Sequence, residues 1–233
     1  MESKMIENFI RLYTQEKIEI LKQFPFDDVE KVVEEVWRAY EKGRVIYACG
    51  NGGNAAYVAN FITDLANHPF VVEDKTKPLP ANIKRIRAID LTASSATITA
   101  LTNDIGFQFI FSQQLINDGI KSEDLVFGFT GSGNSANIVE AFKVAKEYGA
   151  KTIAITRGTG GKVKALADHC LIIPGTSEFP GQTGGNDNNF HYEDALSAIA
   201  HMITGIIKYR IEETTHQCRQ NLASDLQTAN SLT

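Results

Sequence analysis

The sequence predicts a doubly wound α/β domain, a five-stranded parallel sheet flanked by helices and preceded by two N-terminal helices. Three observations predict it. From residue 45 onward, short β-branched and aromatic runs alternate with segments of helical period, the mark of βαβ units. The runs are apolar without alternation and bounded by glycine, as in strands buried on both faces. Two glycine-rich loops each follow such a run directly and open a helix.

The first helix is read from Ile6, Phe9, Ile10 and Tyr13, the second from Val29, Val32, Val33, Val36 and Tyr40. Phe24-Pro25-Phe26-Asp27-Asp28 breaks the chain between them, and Gly43 ends the pair. The strands are read as Val45–Cys49, Ile86–Leu91, Leu125–Phe129, Thr152–Ile155 and Cys170–Ile173. Helices are clearest at Ala55–Leu65 and Ile138–Tyr148, and a last one runs from about Tyr192 to Arg210 and beyond. A long polar segment, Gly175–Asn189, precedes it, and loops of that length are often functional. Residues 1–233 are read as one domain, with 1–43 the helical pair and 44–233 the α/β core and C-terminal helix.

Hydrophobic content of 43% and charged content of 22% are those of a globular protein. The net charge of -5, with no basic stripe, argues against a nucleic-acid surface. Lys75, Lys77, Lys84, Arg85 and Arg87, broken by Pro78 and Pro80, read as a solvated loop running into a strand. Cys49, Cys170 and Cys218 fit neither a disulfide framework nor a C-x-x-C pair; Cys49 and Cys170 lie in apolar runs and read as buried small hydrophobes. The opening MESKMIENF has no apolar signal region and no run of 18 apolar residues occurs, so a soluble cytoplasmic protein with no membrane partner is expected.

The glycine loops are Gly50-Asn51-Gly52-Gly53-Asn54-Ala55 and Thr130-Gly131-Ser132-Gly133-Asn134-Ser135. Glycines admit close approach of a ligand to backbone N–H groups, Thr130, Ser132 and Ser135 add hydroxyl donors, and a helix N-terminus favours negative charge. The combination suits a phosphate monoester. Ordinary strand-to-helix turns are the bland alternative, weakened by two such loops in matching positions. Gly50-x-Gly52-x-x-Ala55 also fits a dinucleotide fingerprint, but no acidic residue ends a strand at the required distance: Asp90 is too far and Glu73-Asp74 precedes Pro78.

Gly50-Asn51-Gly52-Gly53-Asn54-Ala55-Ala56 resembles the GNGGSA motif of the sugar isomerase (SIS) domain family, and Phe129–Asn137 resembles its ISTSGNSxN motif. Asn103-Asp104-Ile105-Gly106-Phe107 is similar to the family's N-D-x-G-F/Y segment and Gly160-Gly161-Lys162 to its GGK turn. The phosphoheptose isomerase subgroup is the nearest likeness. The resemblance implies a homotetramer with sites at subunit boundaries, acting on sedoheptulose 7-phosphate or a related sugar phosphate. It further implies a phosphate held by Thr130, Ser132 and Ser135, with Gly52, Gly53 and Gly131 forming the loops, Asn54 where the motif has Ser, and Asn51 and Asp104 lining the sugar.

Metal-dependent members of the family bind zinc through His and Glu four apart, then Gln and His eight apart. Those positions here are Asn60 and Asp64, then Glu193 and His201. Asp64, Glu193 and His201 thus become candidate ligands of a divalent metal, with Asp64 and His201 the candidate proton carriers. Aldose–ketose interconversion needs a proton removed beside a carbonyl and returned one carbon along, which one carboxylate and one imidazole can do. Spacings of four and eight place each pair on one helix face, so the three are expected to converge beside the Thr130–Ser135 loop. Asn60 is a poor ligand. The alternative is a non-catalytic phosphosugar-binding or protein-binding module, with Asp64 solvated and His201 a core histidine. His191, opening the last helix beside Glu193, and His68, ending a helix, are weaker candidates.

Overall fold

The computed structural model describes residues 2–71, 83–182, 184 and 187–230, and side chains as far as residue 215. Lys75, Lys77, Pro78, Pro80 and Glu73-Asp74 lie outside the described residues, as does the Cys218 side chain.

Five strands follow the apolar runs: β1 Val45–Gly50, β2 Arg87–Asp90, β3 Leu125–Phe129, β4 Lys151–Arg157 and β5 His169–Ile173. They form one sheet in the order β2-β1-β3-β4-β5, and every pairing is parallel. The helices are α1 Glu2–Lys22, α2 Phe26–Lys42, α3 Gly53–Asn67, α4 Ser95–Asp104, α5 Ile110–Asp118, α6 Ala136–Glu147 and α7 Asn189–Asn230. The chain leaves β1 for β2 on one side and returns to β3 on the other. A crevice therefore opens at the carboxyl ends of β1 and β3, the position where open α/β sheets bind ligands. Both glycine loops sit there.

Successive residues of a strand point to opposite faces, and the core divides accordingly. Ile46, Ala48, Phe127, Phe129, Ile153 and Ile155 meet α2, α3 and α7. Val45, Tyr47, Cys49, Val126 and Ala154 meet α5 and α6. Gly128 faces α6, where a Cβ would stand 2.8 Å from Ile138 and Phe142, so a larger residue would force the helix off the sheet. Burial raises the Cys49 thiol pKa well above its ordinary value, as a packed apolar residue requires.

The basic stretch before β2 is less free than a solvated loop. Lys84 Nζ donates to the Glu41 carbonyl and lies over the Tyr40 ring, and the Arg85 guanidinium lies 4.7 Å from the Phe70 ring centre. No helix among the described residues is long and apolar enough to cross a membrane.

Helix α1 keeps Met5, Ile6, Ile10, Ile18 and Leu21 exposed while its other side fastens the loop at Ser177 and Glu178. Glu16 accepts from Ser177 Oγ at 2.7 Å and from the Glu178 amide at 2.7 Å, and its Oε2 lies 2.9 Å from His191 Nε2. Burial pushes the Glu16 carboxyl pKa up, but these hydrogen bonds outweigh it and hold it below 4.5. Glu16→Ala strands the Ser177 hydroxyl and the fully buried His191 ring. It should cost about 2–3 kcal/mol, read as a melting temperature lower by about 5–10 °C. A carboxyl depressed on folding stabilises above its unfolded pKa and stops doing so as pH falls through the folded one. The difference between wild type and mutant should therefore shrink as pH drops below 4.5; equal melting temperatures at neutral pH would show that α1 does not secure the loop.

Candidate active site

The first loop turns from β1 into α3 through Gly52, whose φ of +57° is left-handed backbone. Asn51 and Asn137 exchange amide hydrogen bonds of 2.9 and 2.8 Å, which tie this loop to the first turn of α6. Asn54, where the resemblance has Ser, keeps a buried Oδ1 that accepts no hydrogen bond from the protein.

The second loop turns from β3 into α6. Thr130 is buried, Ser132 is exposed, and Ser135 occupies the N-cap position of α6 without spending its hydroxyl on the helix. Its backbone is buttressed by Gly160-Gly161-Lys162: the Val163 amide donates to the Gly133 carbonyl at 3.0 Å and the Lys162 amide to Asn134 Oδ1 at 3.2 Å. Thr130, Ser132 and Ser135 thus lie in the turn that leads into the N-terminus of α6, the end of a helix that favours an anion, and Ser132 Oγ accepts from the Asn134 amide at 3.2 Å.

Residues from β4 and α7 close the same corner. A Cβ on Gly131 would stand 3.1 Å from Asn189 Oδ1, 3.2 Å from Arg157 Nε and 3.4 Å from the Tyr192 ring. Tyr192 donates to the Ile155 carbonyl at 3.0 Å, and burial drives its pKa well above the ordinary value, so the phenol stays protonated. Glu193 reaches the first loop, its Oε1 3.0 Å from where a Gly53 Cβ would be, and it accepts from Asn189 at 3.0 Å.

His201 Nε2 and Asp64 Oδ2 face each other at 3.6 Å, and Asn60 donates to the same carboxylate oxygen at 3.3 Å. The pair lines an open hollow of about 380 Å³ with His68, Thr204 and Gly205. His201 is 64% exposed at its side chain, so it is no core histidine. His191 is the buried one, paired with Glu16 and stacked on Tyr13 at 4.2 Å. Asp104 ends α4 on the surface, bonded to Asn103 at 3.0 Å.

Asp64, Glu193 and His201 do not converge within one chain, contrary to the sequence expectation. Eight residues of α7 separate Glu193 from His201 by about 12 Å of rise, and eleven of α3 separate Gly53 from Asp64 by about 16 Å. A shared helix face is not a shared height. Glu193 belongs to the glycine loops, and Asp64 with His201 to the hollow further along. Among the described residues no three His, Cys, Asp or Glu side chains are grouped to hold a metal ion, so the expected trio does not fit one within the chain. No local sequence pattern marks Arg157, although it ends β4 at the ligand-binding edge of the sheet.

A parallel sheet whose switch point carries two glycine loops, one rimmed by hydroxyls at a helix N-terminus, defines an α/β protein built to bind a small anionic ligand. Residues 12–157 match the SIS domain family. The phosphoheptose isomerase of Clostridium acetobutylicum is 31% identical over 208 residues, 87% of this chain and 95% of that one. That of Aliarcobacter butzleri is 33% identical over 176 residues, 75% and 85% of the two chains. A phosphoheptose isomerase structure from Francisella tularensis superposes with a TM-score of 0.71 at 26% identity, covering 90% of this chain and 99% of that one. The chain belongs to the SIS domain family, in its phosphoheptose isomerase group.

Proposed function

We propose that this chain is a phosphosugar isomerase that interconverts an aldose and a ketose through an enediol, with sedoheptulose 7-phosphate as its substrate. The observation that carries the reading is the Asp64–His201 pair at 3.6 Å, an imidazole and a carboxylate facing each other in a solvent-open hollow. His201 takes the proton from the carbon beside the carbonyl and returns it one carbon along, while the hydroxyl proton passes from one oxygen to the other across the enediol. Asp64, held in turn by Asn60, orients the imidazole. Thr130, Ser132 and Ser135 hold the phosphate, Asn51, Gly52, Gly53, Asn54 and Gly131 shape its cradle, and Glu193 faces the sugar.

Within one chain the hollow lies too far along α3 and α7 for one substrate to touch both it and the phosphate loop. The reading therefore places the working site between copies in a homo-oligomer, a tetramer by resemblance, with one copy's loops facing another's Asp64 and His201. Exposed Ile105, Phe107 and Phe109 after α4, and the apolar side of α1, are surfaces such an assembly would cover. Asp104, beside the first of these, would then reach the sugar of a neighbouring site. Zinc bound in the family's manner would need ligands from two copies and a substitute for Asn60, so no step is assigned to a metal.

Purified protein should convert sedoheptulose 7-phosphate, and light scattering should give a multiple of 25.6 kDa. The Ser132→Ala/Ser135→Ala double mutant should lose thermal stabilisation by the phosphosugar. Stabilisation without turnover would favour a non-catalytic phosphosugar-binding module, which Asn60 favours equally with a different substrate.

A further inference from the structure

We propose that the Arg157 guanidinium grips the phosphoryl group and makes the site selective for dianionic phosphate. The proposal takes the identity of the ligand from the phosphosugar reading above.

The backbone does not demand a glycine at position 131. Gly133 has φ of +66° and Gly52 has +57°, but Gly131 is not in the left-handed region. What excludes a side chain at 131 is space already taken by Arg157, Asn189 and Tyr192. The guanidinium thus lies directly against the loop whose hydroxyls and helix end would receive the anion.

Backbone and head group are both anchored there. The Arg157 amide donates to the Gly131 carbonyl at 3.1 Å, which fixes the register of β4's last residue against the loop. From the other side, Nη1 donates to the Asp187 carbonyl at 2.5 Å. Arg157 is partly buried as a residue, and its Nε is enclosed beside Gly131.

Charge makes the contact useful. Thr130, Ser132, Asn134, Ser135 and Asn189 are neutral, and Glu193 adds a negative charge on the same side. The N-terminus of α6 supplies roughly half an elementary charge, too little against a phosphate dianion and a carboxylate together. A planar guanidinium offers phosphate oxygens paired N–H donors and a full positive charge, whereas a hydroxyl offers one donor and no charge.

The test reads binding of inorganic phosphate by thermal shift and isomerisation of sedoheptulose 7-phosphate, each in the oligomer as purified. Arg157→Gln should raise the phosphate Kd and the sugar-phosphate KM by about tenfold to hundredfold, with kcat within about threefold of wild type. Arg157→Lys should recover part of that loss by restoring the charge without the fork. Gly131→Ala, whose Cβ would crowd Arg157 Nε and Asn189, should weaken phosphate binding in the same direction. The ligand-free melting temperature of each variant separates a folding defect from an affinity defect. Wild-type phosphate affinity in Arg157→Gln overturns the proposal, as does a wild-type protein that inorganic phosphate does not stabilise. Phosphate binding that depends on Arg157 without turnover upholds it and defeats the isomerase reading. Turnover with a KM indifferent to Arg157 defeats it and leaves that reading standing.

Discussion

His201→Ala is expected to lower kcat on sedoheptulose 7-phosphate by about 10²- to 10⁴-fold, the range for a positioned general acid–base group. Phosphosugar stabilisation should stay close to wild type, because proton transfer is made in the transition state while phosphate anchoring is made equally before it. The His201 side chain is largely solvent-exposed, so its removal should leave the folded state intact. That makes the loss of rate readable as chemistry. Asp64→Asn should reproduce most of the effect. It removes the carboxylate that faces Nε2 at 3.6 Å and orients the ring, and leaves Asn60 with an amide partner in its place. Asp64→Glu keeps the charge on a longer stem and should retain activity. Kinetics and phosphosugar melting curves on the three variants decide the matter. Unaltered kcat in His201→Ala would place the proton carrier elsewhere and favour the binding-module reading.

The sheet was legible in the sequence because its strands are buried on both faces and read as unbroken apolar runs. Helices α4 and α5 were not singled out, and α4 shows why: it has no buried residue, so it carries no apolar period to detect. The glycine loops were legible through composition and position, and their place at the switch point follows from the strand order. Three features of the structure were not. The Glu16–Ser177–His191 cluster joins residues more than 160 positions apart, and no local pattern marks such a contact. Arg157 is a single charged residue that gains meaning only once Gly131 is seen to make room for it. The expected trio failed for a geometric reason: helical spacing reports which face a residue is on, not how far along the axis it lies.

Gly133→Ala is expected to be the most damaging single substitution in the phosphate loop. Two costs combine there. A non-glycine residue at φ of +66° is strained by about 1 kcal/mol. In addition, the new Cβ would stand 2.0 Å from the Gly160 carbonyl oxygen and 2.9 Å from the Gly161 amide nitrogen. Both are backbone atoms of the buttressing turn, so no side chain can swing away to relieve the clash. The Gly160-Gly161-Lys162 turn must separate from the loop, which breaks the Val163 amide to Gly133 carbonyl bond. It also breaks the Lys162 amide to Asn134 bond. A destabilisation of about 3 kcal/mol or more follows, or about 6–12 °C in melting temperature. Phosphosugar stabilisation should disappear with it, since Ser132 and Ser135 flank the displaced residue. Gly52→Ala supplies the control. Its φ is also left-handed, at +57°, but a Cβ there would meet nothing within 4 Å, so it should cost only the backbone strain. Equal losses in the two mutants would mean that the turn and the loop are not pressed together as the geometry requires. A large difference would establish that the second glycine pair exists to hold the phosphate loop in shape.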